Sequence, residues 1–223
     1  MTRQAARLAA GADLARLVAL IPVRALEGAK SRLGGSLDAE ERQDLVRLLL
    51  DRTIRAAQGV DAIEAVAVVS ADPAILGLAT AAGAIPVEQS GEGLNEGLEQ
   101  GIHWALGSRA GAVLVLAGDL PSVSTPTIHE VVATALAAAE PDRALVVVVP
   151  DRHGRGTNAL LLSPPDVIAP AFGEDSRAKH QAAARRAGAL SIEVDGPLAL
   201  DLDLPADLTL AEALGLLDPA HGG

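Results

Sequence analysis

The chain has no cysteine among its 223 residues. Disulfides, thiolate nucleophiles and thiolate zinc sites are therefore excluded together, and the composition fits a reducing compartment. With one Trp, one Phe and no Tyr, the sequence also argues against base-stacking platforms and aromatic ligand cages. No apolar run is long enough to span a bilayer, and the first sixteen residues lack the apolar core of a secretory signal. We therefore expect a cytoplasmic protein with no membrane contact.

Positive charge is scarce, and it is unevenly distributed. The net charge of −11 argues against a general nucleic-acid binder, which needs a cationic surface. Residues 1–55 nevertheless carry ten basic and seven acidic side chains, whereas residues 56–223 carry 8 and 22. A polyanionic ligand could be held by the basic segment, or by metal ions bound to the acidic part. The alternative is a solvated surface with an accidental charge gradient.

Short β-branched runs alternate with amphipathic helical stretches, which is typical of an α/β fold with a mostly parallel sheet flanked by helices. Strands are predicted over Leu17–Val23, Ala65–Ser70, Ala84–Val87, Ala112–Ala117, Leu145–Val149, Ala159–Leu162 and Leu190–Val194. Helices are predicted over residues 38–57, from 73 onward, and over 95–106, 125–139, 175–187 and about 205–214. The excursion over residues 151–157 predicts a hairpin, and hence a small antiparallel element. We expect an extension over 1–16, one domain over 17–214 and a tail over 215–223.

A basic loop follows the first predicted strand. Ligands of open α/β sheets collect beyond the carboxyl ends of the strands, so residues at strand exits are the first candidates for a site. This loop could wrap around a triphosphate, because it combines three cations, Arg24, Lys30 and Arg32, with the small residues Gly28 and Ala29. The segment is not a Walker A loop, because Ala29 separates Gly28 from Lys30. A solvated basic loop is the competing interpretation.

A glycine-rich turn precedes the helix predicted over 95–106. Gly91, Gly93 and Gly97 do not have the spacing of a dinucleotide-binding fingerprint, because the third glycine lies one position too far along. Backbone N–H groups of such a turn can still approach a ligand, and the Asn95 side chain could read a base edge. The alternative is a simple turn and helix start.

Three carboxylates form the strongest candidate for a metal site. Asp119 follows the predicted strand 112–117, and Asp201 and Asp203 project to the same side of extended backbone because one residue separates them. Hard oxygen ligands of this kind suit magnesium, which is held by one or two carboxylates together with substrate phosphates. An exposed loop is the alternative for the Asp201–Asp203 pair.

Hydrolase motifs are missing from the sequence. It contains neither a G-x-S-x-G elbow nor an H-E-x-x-H zinc motif, and its five histidines are scattered. His153, in a glycine-flanked loop, and His180, one helical turn after Ser176, are the two histidines that merit inspection.

Seven short segments, taken in order, resemble one protein family, the guanylyltransferases of deazaflavin coenzyme F-420 biosynthesis that act on 2-phospho-L-lactate or phosphoenolpyruvate. The resemblance runs from about Leu17 to Leu214. The segments are Ile21-Pro22-Val23, Ala29-Lys30-Ser31-Arg32-Leu33, Gly93-Leu94-Asn95, Gly118-Asp119-Leu120-Pro121, Gly154-x-Gly156-Thr157-Asn158-Ala159-Leu160, Phe172-Gly173-x-x-Ser176 and Asp201-x-Asp203-x-Pro205-x-Asp207-Leu208.

This resemblance implies a nucleotidyltransferase-like (Rossmann-like) fold and a reaction class. The phosphate of a small phospho-acid would be joined to the α-phosphorus of GTP, with release of pyrophosphate. The chain has sixteen Arg and two Lys, which favours phosphoenolpyruvate, the acceptor of actinobacterial members. The alternatives are 2-phospho-L-lactate and 3-phosphoglycerate.

The resemblance also implies roles for particular residues. Magnesium would be held by Asp119, Asp201 and Asp203. The carboxylate of the phospho-acid would be bound by Thr157, Gly173 and Ser176. The triphosphate of GTP would face Arg24, Lys30 and Arg32, and its guanine would face Gly93 and Asn95, while Asp119 and Lys30 are the expected catalytic residues.

Other functions stay open at this point. The runner-up among enzymes is another nucleotidyltransferase, one that uses a sugar phosphate or a molybdenum cofactor precursor. A non-catalytic nucleotide sensor is the alternative from a different class, and it should survive the loss of the carboxylates. We expect no nucleic-acid partner, and a homodimer is conceivable.

Overall fold

The computed structural model describes residues 12–26, 30–91 and 93–217. These residues form one seven-stranded sheet with the order β3-β2-β1-β4-β6-β5-β7. The strands are β1 Leu17–Pro22, β2 Ile63–Ser70, β3 Ile85–Glu88, β4 Ala112–Leu116, β5 Leu145–Pro150, β6 Thr157–Ser163 and β7 Leu190–Glu193. The helices are α1 Ala39–Gln58, α2 Pro73–Ala81, α3 Leu94–Gly107, α4 Thr125–Ala138, α5 Ser176–Arg186 and α6 Pro205–Ala213, with short 3-10 turns at Ser31–Leu33 and Pro197–Ala199.

Among the described strands, only β6 is antiparallel to the others. β1 pairs in parallel with β2 and β4, and β2 pairs in parallel with β3. β6 is antiparallel to both β4 and β5, and β5 is parallel to β7. The carboxyl ends of six strands and the beginning of β6 therefore lie along one edge of the sheet, which we call the carboxyl edge.

The sheet is covered on both faces, which explains its nearly continuous apolar strands. Alternate residues of β1 point to opposite faces: Leu17 and Ile21 join one core cluster, and Val18 and Leu20 join the other. Helices α1, α2 and α4 supply the first cluster, and helices α3 and α5 supply the second.

A third, smaller core fastens the segment that carries the paired aspartates. Leu200 and Leu202 pack with leucines of α1 and α6 in this cluster. Because side chains alternate in extended backbone, Asp201 and Asp203 lie on the opposite side of the segment. The apolar partners thus determine where the two carboxylates point.

The structure confirms the predicted α/β architecture and its antiparallel element. The hairpin predicted around residues 151–157 is the β5–β6 pair. Residues 1–11 and 218–223, which make up most of the predicted extension and tail, lie outside the described residues. Within the described part of the chain, no helix combines the length and apolarity needed to cross a membrane.

Candidate active site

Three segments meet at the carboxyl edge of the sheet. The Ala117 N–H donates to the Asn158 carbonyl at 2.9 Å, which joins the exit of β4 to the start of β6. The Leu202 N–H donates to the Asp119 carbonyl at 3.2 Å, which brings the segment of the paired aspartates alongside. Residues that are far apart in sequence are therefore neighbours in the position where ligands of α/β sheets bind.

Lys30 binds two of the predicted metal ligands. Its Nζ lies 2.5 Å from Asp119 Oδ2 and 3.5 Å from Asp203 Oδ1, and its side chain is 12% exposed. Arg32 approaches the other oxygen of Asp203 at 3.7 Å. Lys30 itself adopts a left-handed backbone conformation, with φ of 50°. The two predicted catalytic residues, Lys30 and Asp119, are thus in direct contact.

Asp201 completes a strongly negative group. The pKa of its carboxyl is raised to about 6, chiefly because the group is buried. The negative charges of Asp119 and Asp203 raise it further, and Asp151 adds a smaller effect. Even with the Lys30 ammonium and the Arg32 guanidinium as partners, three ionised carboxylates leave excess negative charge at this point of the carboxyl edge.

The donor chemistry of this group fits a hard divalent cation. All three predicted ligands offer carboxylate oxygens, the type that magnesium prefers, and the Lys30 ammonium stands as a monovalent cation between Asp119 and Asp203. Among residues 12–26, 30–91 and 93–217, however, no three His, Asp or Glu side chains are already arranged to hold a metal ion. The structure gathers the three aspartates, and their role as magnesium ligands stays a prediction.

Substitution of Asp201 tests the excess negative charge. We expect Asp201→Asn to raise the free energy of unfolding in metal-free buffer by about 1 kcal/mol, because it removes like-charge repulsion. If Asp201 is a magnesium ligand, the same variant should also gain less stability from added magnesium than the parent protein does. Chemical unfolding with and without magnesium measures both effects, and Asp142→Asn, an exposed position before β5, is the control. A destabilised Asp201→Asn protein would contradict this prediction.

Asp207 holds the segment of the paired aspartates in place. Its Oδ2 accepts hydrogen bonds from the Asp203 N–H at 3.0 Å and the Leu204 N–H at 2.7 Å. Its Oδ1 forms an ion pair with Arg152. Asp207 has no predicted role from the sequence, although an acid in the first turn after Pro205 is typical of a helix start.

Asn158 fastens the same region from the side of the sheet. Its Nδ2 donates to the carbonyls of Leu198 and Ala199, each at 2.9 Å, and the residue is 4% exposed. We expect Asn158→Ala to lower the free energy of unfolding by about 2 kcal/mol, because it leaves these carbonyls without their donor. Urea unfolding measures the loss. A variant as stable as the parent protein would show that water or another donor replaces the amide.

The residues predicted to bind the phospho-acid lie at the neighbouring part of the edge. Thr157 is the first residue of β6 and Ser176 is the first residue of α5. The Ser176 N–H donates to the Gly173 carbonyl at 3.2 Å, and Gly173 has φ of 110°, which favours glycine. The Ser176 hydroxyl is buried and has no hydrogen-bond partner among the described residues. An orphaned buried hydroxyl at a helix start is a ready ligand group.

His180 links Thr157 to the loop before α5. Its Nδ1 lies 3.1 Å from Thr157 Oγ1, and its Nε2 accepts a hydrogen bond from the Ala171 N–H at 2.9 Å. Burial lowers the pKa of His180 to about 4, with a smaller contribution from the positive charge of Lys179. The other histidine singled out from the sequence, His153, is exposed and contacts Arg152.

The residues predicted to face GTP are distributed along the edge. Gly93 precedes α3, and Asn95 lies in its first turn. The Asn95 amide exchanges two hydrogen bonds with the Phe172 backbone, at 3.1 and 2.7 Å, so in this structure it fastens α3 to the loop before α5. Contact of Asn95 with guanine stays a prediction. Arg24 is exposed after β1, and residues 27–29 of that loop lie outside the described residues.

The fold and the site define a class of protein. A solved structure of a nucleotidyl transferase from Methanothermobacter thermautotroptrophicus matches with a TM-score of 0.62 and 14% identity, over 90% of this chain and 98% of that chain. At this identity the match shows the fold, which is that of the nucleotidyltransferases.

Sequence comparison then identifies the family. The family model described as "Guanylyl transferase CofC like" matches residues 17–214, and the chain belongs to this family. A phosphoenolpyruvate guanylyltransferase of Sphaerobacter thermophilus is 45% identical, over 86% of this chain and 90% of its own length. One of Rubrobacter xylanophilus is 41% identical, over 88% of this chain and 94% of its own length. The chain is therefore an enzyme of the guanylyltransferase type, as the resemblance implied.

Proposed function

We propose that this enzyme transfers GMP from GTP to phosphoenolpyruvate. An oxygen of the acceptor's phosphate forms a bond to the α-phosphorus of GTP. The bond from that phosphorus to the oxygen bridging to the β-phosphorus breaks, and pyrophosphate leaves with the electron pair. The acceptor phosphate is itself the nucleophile, so a sequence without cysteine or a Ser-His-Asp triad is no obstacle.

One observation supports this proposal most strongly. The Lys30–Asp119 contact and the orphaned Ser176 hydroxyl belong to two halves of the same carboxyl edge, which the pairing of β4 with β6 holds side by side. The first half offers the charges that a triphosphate and its cation require. The second half offers hydroxyl and backbone donors of the kind that bind a carboxylate. A reaction between a nucleoside triphosphate and a small phospho-acid needs both halves.

In this proposal, Asp119, Asp201 and Asp203 hold magnesium, and Lys30, Arg24 and Arg32 bind the phosphates of GTP. Magnesium, when bound, supplies positive charge that offsets the charge developing on the phosphoryl oxygens. Lys30 exchanges its contact with Asp119 for one with a phosphate. Thr157, Gly173 and Ser176 orient the acceptor by its carboxylate.

The names of the relatives support phosphoenolpyruvate as the acceptor. The proteins of Sphaerobacter and Rubrobacter are named phosphoenolpyruvate guanylyltransferases. We extend this substrate to the present chain, together with a place in coenzyme F-420 biosynthesis. The lack of cysteine supports a cytoplasmic location, and we further propose a homodimer.

Measurement of pyrophosphate release tests the activity. The protein is incubated with GTP and magnesium and with phosphoenolpyruvate, 2-phospho-L-lactate or 3-phosphoglycerate in separate reactions, and mass spectrometry identifies the conjugate with GMP. We expect the fastest release with phosphoenolpyruvate. Pyrophosphate release with a sugar phosphate, but with none of the three acids, would overturn the proposal in favour of another nucleotidyltransferase activity. ATP in place of GTP serves as the nucleotide control.

A further inference from the structure

We propose that His180 is a positioning residue that turns the Thr157 hydroxyl into a hydrogen-bond donor for the bound phospho-acid. His180 itself lies outside the predicted acceptor site. This inference rests on the proposed function, in which Thr157 binds the acceptor. It is carried by two hydrogen bonds, one on each ring nitrogen of His180.

The first hydrogen bond fixes the tautomer of the ring. The Ala171 backbone N–H can only donate, so the His180 Nε2 that lies 2.9 Å from it must be the unprotonated nitrogen. In a neutral imidazole the proton is then on Nδ1. That nitrogen is the one that lies 3.1 Å from Thr157 Oγ1.

The second hydrogen bond fixes the direction of the Thr157 hydroxyl. Because Nδ1 carries the proton, it donates to Thr157 Oγ1, which accepts through one lone pair. The hydrogen of the hydroxyl is then directed away from His180 and is left for another acceptor. With the opposite tautomer, Thr157 would donate to the ring and would present lone pairs, which repel an anion. Thr157 is 7% exposed, so its remaining hydrogen has little access to bulk water.

The surroundings of His180 preserve the neutral ring. The side chain is fully buried, and the Phe172 ring packs against it edge to face at a centroid distance of 5.0 Å. A proton on Nε2 would face the Ala171 N–H and would break that hydrogen bond. The ring therefore stays neutral, with Nε2 as acceptor, at the pH at which the enzyme would act.

The same histidine orders the loop that leads to Gly173. His180 holds the Ala171 N–H, and the Asn95 amide holds both backbone groups of Phe172. The backbone just before Gly173 is thereby fixed from two sides. His180 thus connects all three predicted contacts of the acceptor: Thr157 through its hydroxyl, and Gly173 and Ser176 through the loop and helix that carry them.

A double-mutant cycle between His180 and Thr157 tests the proposal. In His180→Gln, the amide oxygen can still accept from Ala171, whereas the donor to Thr157 is lost. We expect the KM for phosphoenolpyruvate to rise by about 10- to 30-fold, because a donor to a charged group is lost. The KM for GTP should stay within about twofold. Thr157→Val should have a similar effect, and the double variant should be no worse than Thr157→Val alone.

His180→Asn is the second variant, because its amide nitrogen can occupy the position of Nδ1 and donate to Thr157. It should retain a lower KM for phosphoenolpyruvate than His180→Gln. Circular dichroism of each variant checks that the fold is retained. Additive losses in the double variant, or equal losses for GTP and phosphoenolpyruvate, would overturn the positioning role. Absence of turnover in the parent protein would instead contradict the proposed function.

Discussion

Asp119→Asn is expected to lower the rate of pyrophosphate release by about a thousandfold. Asp119 lies three residues after the end of β4, where its carboxylate contacts Lys30 and adds to the negative charge around Asp201. Exchange of the carboxylate for an amide leaves its size nearly unchanged and removes the charge. If this carboxylate holds magnesium, the substitution removes stabilisation of the transition state, where the charge on the phosphoryl oxygens is greatest. Initial rates at concentrations of GTP, phosphoenolpyruvate and magnesium that saturate the parent protein measure the effect.

Asp44→Asn is the matched control for this substitution. Asp44 lies exposed on α1, where it pairs with Arg47 at 2.6 Å, so the variant removes an exposed ion pair that includes none of the predicted site residues. We expect its rate to stay within about twofold of the parent rate. A nearly normal rate for Asp119→Asn would refute its role in catalysis. A loss that higher magnesium concentration restores would assign the residue to metal binding.

The architecture was predictable because its signals are local. Every residue of β5 is buried, and its apolar run Leu145–Val149 is visible in the sequence. The start of β6 was less visible: it begins at Thr157, two residues before the predicted Ala159. Thr157 and Asn158 are buried polar residues whose hydrogen-bond partners lie elsewhere in the chain, so apolar patterning did not include them.

The site was predictable where the topology alone decides it. A strand exit leads to Asp119, and alternation in extended backbone places Asp201 and Asp203 on one side. These three residues could therefore be predicted from the sequence. The contact of Lys30 with Asp119 could not be predicted, because these residues lie 89 positions apart in the sequence. Such contacts depend on how two loops cross, and local propensity does not determine this.

The residues that support the site were the hardest to predict. Asp207 and His180 both act through other residues: Asp207 through backbone N–H groups, and His180 through Thr157 and Ala171. Asn95 shows the same difficulty. The sequence shows that its side chain could read a base edge, but not that its amide pairs with the backbone of Phe172. Sequence patterns indicate which side chains can bind a ligand, but not which ones are already bound to the protein.

The stability of the parent protein is expected to depend on pH through His180. The pKa of this residue is lowered from its ordinary value of 6.5 to about 4 in the folded state. Between these values the unfolded chain binds more protons than the folded chain, so the free energy of unfolding falls as the pH falls. The contribution is complete above pH 6.5, and it is lost progressively down to about pH 4. Between pH 7 and pH 5 the loss from this one group is about 2 kcal/mol.

The expected result is a difference between two proteins, because carboxylates also titrate in this range. His180→Gln lacks the imidazole, so between pH 7 and pH 5 it should lose about 2 kcal/mol less stability than the parent protein. Urea unfolding at the two pH values measures both losses. His129→Gln, at an exposed position on α4, is the matched control for the loss of an imidazole. Equal losses in His180→Gln and the parent protein would mean that His180 already accepts a proton in the fold. In that case its Nε2 could not accept from Ala171, and the direction of the Thr157 hydroxyl would no longer be fixed.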